Sequence, residues 1–196
     1  AHALLPGLVN AHTHAAMTLF RGIADDLPLK AWLEGHIWPR EAKFVTPAFV
    51  ADGVRLAAAE MLKGGITCCN DMYFYPDAAG PALVELGMRA LLGLPVLDFP
   101  PPYAAAADDA PKHEPKLAFS LAPFAHYTVG DATFARIVTY ARQLDLPIQT
   151  HIAETAHEVE ESCARHGQSP LARLHRLGAT GASFIAIHGV HFDADD

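Results

Sequence analysis

A chain of 196 residues that is 51% hydrophobic and 18% charged is long enough to bury a substantial core and too apolar to be disordered. Its net charge of −8, with no run of Lys or Arg, argues against a nucleic-acid backbone or an anionic membrane as partner and favours a small-molecule substrate. No apolar stretch reaches the ~18 residues of a transmembrane helix, and the three cysteines, Cys68, Cys69 and Cys163, form neither a CxxC pair nor a disulfide framework. The chain reads as one globular domain of a cytoplasmic protein.

The first element is LPGLVNAHTH (residues 5–14), an apolar run ending in His12 and His14. On a strand, side chains alternate between faces, so two histidines at this spacing point the same way and can share a metal ion. Among 12 histidines an H-x-H arises by chance about once, so the pair alone does not decide. Residues 17–29 read as an ordered loop carrying Arg21, Asp25 and Asp26. Residues 30–38 hold both tryptophans, Trp32 and Trp38, placed either to stack a flat substrate or to pack the core. Pro39-Arg40-Glu41 breaks that pattern.

Thr46-Pro47 opens a helix, with Thr as N-cap and Val50, Val54, Ala57, Ala58 and Met61 on one face, ended by Gly64-Gly65. A second strand spans residues 66–73 (ITCCNDMY), in which the adjacent cysteines read as core packing, and a helix from Asp77 stops at Gly87. Residues 90–97 (ALLGLPVL) form a third apolar run interrupted by Pro95. Residues 99–116, rich in Pro, Ala and Asp, form a long loop. A fourth strand at 117–125 precedes a helix from Asp131 with Phe134, Ile137, Val138, Ala141 and Leu144 at helical spacing. PIQTH (147–151) is the fifth strand. A polar helix spans 155–166, Ser169-Pro170 caps another that ends at Gly178, and FIAIHGV (184–190) is the sixth strand. Strands alternating with helices make βαβ units and a parallel sheet, an α/β fold.

Candidate chemistry falls at strand ends: His12 and His14 after the first, His126 after the fourth, His151 and Glu154 after the fifth, His188 in the sixth. In a parallel barrel these ends gather at one mouth. His151 and Glu154 lie three apart, so the strand must end near His151 for the loop to turn Glu154 back as a proton carrier beside a ligand; a helix-capping Glu is the competing reading. His188 is either a base or water-orienting group, or a core histidine.

These residues together resemble the amidohydrolase superfamily, in particular its 5′-methylthioadenosine/S-adenosylhomocysteine deaminase group, related to the triazine hydrolases. The resemblance covers nearly the whole chain and rests on LLPGLVNAHTHAAMTLFRGIADDLPLKAWL (4–33), NDMYF (70–74), MRALLG (88–93), YTVGD (127–131), HIAET (151–155) and IHGVH (187–191). It implies a (β/α)8 TIM-type barrel, with about six of eight units in residues 1–196 and the flanking β-sandwich and last units outside them. It implies one divalent ion, Zn2+ in preference to Fe2+ or Mn2+, on His12, His14 and His151. Glu154 becomes the proton shuttle and His188 the group polarising the attacking water. Trp32 and Glu41 line the nucleoside site, with Glu41 on ribose hydroxyls. The implied reaction is hydrolytic deamination of an adenine nucleoside thioether, releasing ammonia. The full-length form is expected to be a homo-oligomer.

The pattern departs from the family in three respects. No counterpart of the Asp ligand beyond strand eight occurs before Asp196, so these residues alone are expected to be inactive, and an unclosed barrel exposes strand edges. APFAHY (122–127) replaces the family's APHAPY, so that Phe124 stands where a substrate-binding His is usual. His126 shares a strand face with it and would partly substitute. An arginine shortly after MRALL is absent, with Leu94 near its place. The alternatives are therefore a hydrolase of a triazine or another amino- or chloro-heterocycle, and a catalytically impaired metal-binding homologue.

Overall fold

The computed structural model describes residues 2–98, 114–181, 183–194 and 196. Six strands, β1 (Leu8–Thr13), β2 (Ile66–Asp71), β3 (Arg89–Val96), β4 (Leu117–Pro123), β5 (Ile148–Ile152) and β6 (Phe184–His188), hydrogen-bond in chain order. Each observed pairing is parallel, and helices alternate with the strands, so the chain has the architecture of six consecutive units of a (β/α)8 barrel. The chain divides into two compact units. One holds the described residues up to Leu92 with those from 114 to Ala118; the other holds residues 93–98 with those from Phe119 onward.

In the first unit, β1 pairs with β2 through Val9–Cys68, Asn10–Cys69 and Thr13–Asp71. Three residues of β1 advance against two of β2 between the last two pairs, so β1 carries a bulge at Ala11 and His12. His14 lies beyond the strand, at the start of a 3-10 turn (Ala15–Phe20). Simple alternation therefore does not explain how the two histidines come together; the bulge and the turn re-aim them. The 3-10 turn also replaces the loop expected from residue 17. It rests on the helix α3 (Pro47–Lys63) at Gly53, where an added Cβ would stand 2.5 Å from the Ala16 carbonyl oxygen.

Two short helices, α1 (Leu29–Trp32) and α2 (Trp38–Phe44), are joined by a π turn (Leu33–Ile37). Pro39 does not end the helical run; it is the second residue of α2, directly after the π turn, where the regular hydrogen-bond ladder is already interrupted. Helix α3 follows the sequence reading: the Thr46 Oγ1 accepts from the Phe49 N–H at 3.1 Å, and Val50, Val54, Ala57, Ala58 and Met61 are buried. Helix α4 (Pro76–Glu85) begins one residue before Asp77, after Tyr75 in a left-handed conformation, and ends before Gly87 at φ 83°. Pro95 lies within β3 rather than interrupting it. Cys69 is buried in β2, its thiol pushed up to about 12 by that burial, and so is inert core packing.

In the second unit, α5 (Asp131–Leu144) buries Phe134, Ile137, Val138 and Ala141 against β5, all five residues of which are buried. Leu144, at the last position of the helix, is 59% exposed instead of packing with that face. Helices α6 (Ala156–His166) and α7 (Pro170–Arg176) are capped by Thr155 and Ser169, whose hydroxyl oxygens accept from Glu158 N–H and Ala172 N–H. Strand β4 ends at Pro123, so Phe124 and His126 lie in the following turn and share no strand face. Most of the loop expected at 99–116 lies outside the described residues.

Candidate metal and proton-transfer site

In the first unit the site is built where β1 and β2 end. The His12 and His14 rings lie edge to face with centroids 4.8 Å apart. The His14 Nδ1–H donates to the Met72 carbonyl, which can only accept; the proton is thereby fixed on Nδ1 and the lone pair on Nε2. The residues around Met72 tie β2 to the same segment. The Asn70 side-chain amide donates to the Ala11 carbonyl at 3.0 Å, and an Asp71 carboxylate oxygen accepts from the Ala15 N–H at 2.7 Å. Burial pushes the Asp71 carboxyl up to about 7 against the lowering effect of that N–H.

Glu41 is buried on α2 and accepts from the Tyr73 hydroxyl at 2.7 Å. Its burial raises the carboxyl above the usual range and the Tyr73 bond opposes the shift. Trp32 is half-buried at the end of α1, while Trp38 is 45% exposed, so core packing is not the role of Trp38.

The second unit carries the other candidates. His151, 7% exposed on β5, donates from Nδ1 to the Phe124 carbonyl at 2.5 Å, which again leaves Nε2 as the lone-pair nitrogen. Burial, followed by the nearby His188 charge, lowers its pKa to about 4, with the Phe124 bond opposing the shift, so the ring is neutral as a ligand must be. Phe124 lies against the same ring at 5.2 Å. The imidazole of His188 also stacks on the His151 ring, at 5.3 Å and 26°. His188 is not a core histidine: its side chain is 32% exposed, and its backbone is left-handed at φ 76°. A non-glycine residue held there at a strand end is strained, as residues presented to a ligand often are.

Glu154 meets His188 at 3.6 Å, Oε1 to Nε2. The chain reverses after β5 as the sequence requires, through Ala153 at φ 50°. Glu154 does not cap α6, since Thr155 holds that position. His126 is 3% exposed in the turn after β4, its Nε2 4.0 Å from a Glu158 carboxylate oxygen. The carbonyls of Met72 and Phe124 and the side chains of Asp71, Tyr73 and Glu158 were not singled out by sequence. Of these, Asp71, Met72 and Tyr73 lie within the NDMYF motif, to which no role was attached, while Phe124 and Glu158 lie outside the NDMYF and HIAET motifs.

In each unit one imidazole, His14 or His151, thus commits its Nδ1 proton to a backbone carbonyl and leaves Nε2, the nitrogen a divalent transition metal such as zinc can take. Among the described residues no helix is long and apolar enough to cross a membrane. The sequence model of the amidohydrolase family matches residues 3–196. The chain is 46% identical over 203 residues to a 5-methylthioadenosine/S-adenosylhomocysteine deaminase of Saccharophagus degradans, covering 98% of this chain and 46% of that protein. It is 45% identical to a protein of the same name from Thermodesulfovibrio yellowstonii, covering 99% of this chain and 46% of the relative. Its fold superposes with a TM-score of 0.92 on a zinc-bound adenosine deaminase of Xanthomonas campestris, at 48% identity over 97% of this chain and 46% of the other. The chain therefore spans about half the length of the relatives it matches.

Proposed function

The chain belongs to the amidohydrolase family, and on that footing we propose that the protein is a metal-dependent hydrolytic deaminase of an adenine nucleoside thioether, methylthioadenosine or S-adenosylhomocysteine. His12, His14 and His151 hold one divalent ion, zinc in the first instance. The observation that carries the reading is the shared orientation of two of these ligands: His14 and His151 each commit Nδ1–H to a backbone carbonyl and so offer Nε2. Bound there, the ion lowers the pKa of a water towards ~7 and so supplies a nucleophile at neutral pH.

The chain's own residues do the rest. Glu154 takes a proton from the attacking water and delivers it to the ring nitrogen; the second proton, from the hydroxyl now on the amine-bearing carbon, passes to the amine, which leaves as ammonia as the carbonyl forms. His188, 3.6 Å from Glu154, orients that water and keeps the Glu154 carboxylate turned towards it. Trp32 gives the adenine a face to stack on. Glu41 accepts from ribose hydroxyls, with Tyr73 satisfying one of its carboxylate oxygens from behind.

The test is ammonia release from methylthioadenosine and from S-adenosylhomocysteine by the zinc-loaded full-length protein, with loss of activity on chelation and recovery on adding zinc. Loss of zinc from His12→Ala, His14→Ala and His151→Ala supports the ligand set. Stoichiometric zinc with no ammonia from either nucleoside overturns the reading, and turnover confined to amino- or chloro-triazines would replace it with the heterocycle hydrolase.

A further inference from the structure

We infer that Glu158, with His126 packed against it, is a positioning residue that holds the turn after β5 so that Glu154 faces His188. This rests on the role proposed above for Glu154. Glu158 lies on the first turn of α6, and its N–H donates to the Thr155 cap at 3.3 Å. In an ordinary capping box, a glutamate at this position returns its carboxylate to the N–H of the capping residue itself. Here the carboxylate reaches past Thr155 and accepts from the Glu154 N–H at 2.7 Å, and it also bonds the backbone of Ala153. The two residues it holds are the left-handed hinge and the proton carrier.

The burial of the pair sets it apart from helix capping. Helix α6 is polar and largely exposed, yet Glu158 is 6% exposed and His126 3% exposed. Among the described residues neither ring nitrogen of His126 has a hydrogen-bond partner, and the nearest approach of Nε2 to Glu158 is 4.0 Å. Burying a carboxylate, or an imidazole without a hydrogen-bond partner, costs stability, and Thr155 already supplies the cap. What the arrangement secures is the direction of Glu154. A carboxylate displaced by about 1 Å can lose on the order of 100-fold in rate, so a rigid clamp on its backbone has a catalytic consequence that a cap does not.

The experiment compares Glu158→Ala, Glu158→Gln and His126→Phe in the zinc-loaded protein, with Ser169→Ala, which removes the cap of α7, as a control for plain destabilisation. For Glu158→Ala the expected result is a kcat lowered about 10- to 100-fold with KM within about twofold of wild type and zinc content unchanged. Glu158→Gln keeps an acceptor oxygen for the Glu154 N–H and recovers most of the rate. His126→Phe lies between them, and Ser169→Ala lowers Tm without lowering kcat. Amide hydrogen exchange at Glu154, which needs no turnover, is expected to speed up about 10-fold or more in Glu158→Ala and to stay near wild type in Glu158→Gln.

Unchanged kcat in Glu158→Ala, or unchanged exchange at Glu154, overturns the inference. So does failure of Glu158→Gln to restore either. If the wild-type protein releases no ammonia, the deaminase reading fails, and the exchange measurement still decides whether Glu158 clamps the turn. Should Glu158→Ala not fold, the Glu158→Gln and His126→Phe pair carries the comparison: rate loss in His126→Phe with rate retained in Glu158→Gln supports the clamp, and equal rates in both overturn it.

Discussion

Replacing Arg173 by Met should destabilise the protein severely and loosen the turn that orients His151. Arg173 is 2% exposed on α7, and its guanidinium donates to the His126 carbonyl at 2.6 Å and the Val129 carbonyl at 3.2 Å. It also bonds one Asp131 oxygen at 2.9 and 2.7 Å and lies over the Phe134 ring. Met keeps most of the packing and removes every donor. Leaving two carbonyls without their partner costs about 1–2 kcal/mol each. The Asp131 pair is discounted to under about 1 kcal/mol, because that carboxylate is 45% exposed and Arg176 also holds it. The expected loss is therefore about 2–5 kcal/mol, a large part of a domain's ~5–15 kcal/mol.

Urea unfolding of the Arg173→Met and Arg173→Lys variants measures this, with Lys recovering part. A loss under about 1 kcal/mol for Arg173→Met would refute the reasoning. The pH dependence supplies a second check. The Arg176 and Arg173 guanidinium groups hold the Asp131 carboxyl below its usual value, so its contribution is present above the unfolded pKa of ~3.9 and is lost as pH falls through the folded value. The gap between wild type and variant should thus narrow only slightly in acid, by the ion-pair part alone.

Gly53→Ala would drive a Cβ to 2.5 Å from the Ala16 carbonyl oxygen, and should cost about 1–3 kcal/mol and weaken zinc binding by shifting the turn after His14; unchanged zinc affinity and Tm would contradict the close approach. His126, lowered to about 4 by burial and then by the Arg173 and His166 charges, takes up its proton near 6.5 once unfolded. The unfolded state therefore binds more protons between these values, and stability falls by up to about 3 kcal/mol as pH drops from 6.5 to 4. The advantage of wild type over His126→Gln should shrink by that amount across this window; a constant difference in unfolding free energy would count against it. Tyr73→Phe removes the donor to buried Glu41 and should cost about 1–3 kcal/mol. A double-mutant cycle with Glu41→Gln should show coupling, and additive losses would mean the bond contributes nothing.

The elements that could be read from sequence are those set by local chemistry. Thr46, Thr155 and Ser169 cap helices because a hydroxyl on the flanking residue reaches an N–H within the same turn. Gly65 and Gly87 follow helix ends because little else accepts their backbone angles, with φ 83° at each. Where the reading failed, a distant contact outweighed the local signal. Residues 15–20 wind into a 3-10 turn seated on Gly53, and Pro39 sits in a helix whose preceding π turn no periodicity foretold. Alternation along a strand puts His126 on one face with Phe124, but β4 ends at Pro123.

The chemistry divides along the same line. The identities of the imidazoles and carboxylates, their placement near strand ends and the strand-helix alternation follow from residue order, since spacing and capping act over a few residues. Which nitrogen each histidine offers does not. His14 takes its tautomer from the Met72 carbonyl 58 residues away, and His151 from the Phe124 carbonyl 27 residues away. The direction of Glu154 depends on a left-handed Ala153 and on the buried Glu158 reaching back to it. The two histidine bonds join backbone and side chains brought together by parallel strand pairing, and the Glu158 bond forms only once the turn after β5 is folded, so no pattern along the chain encodes their geometry.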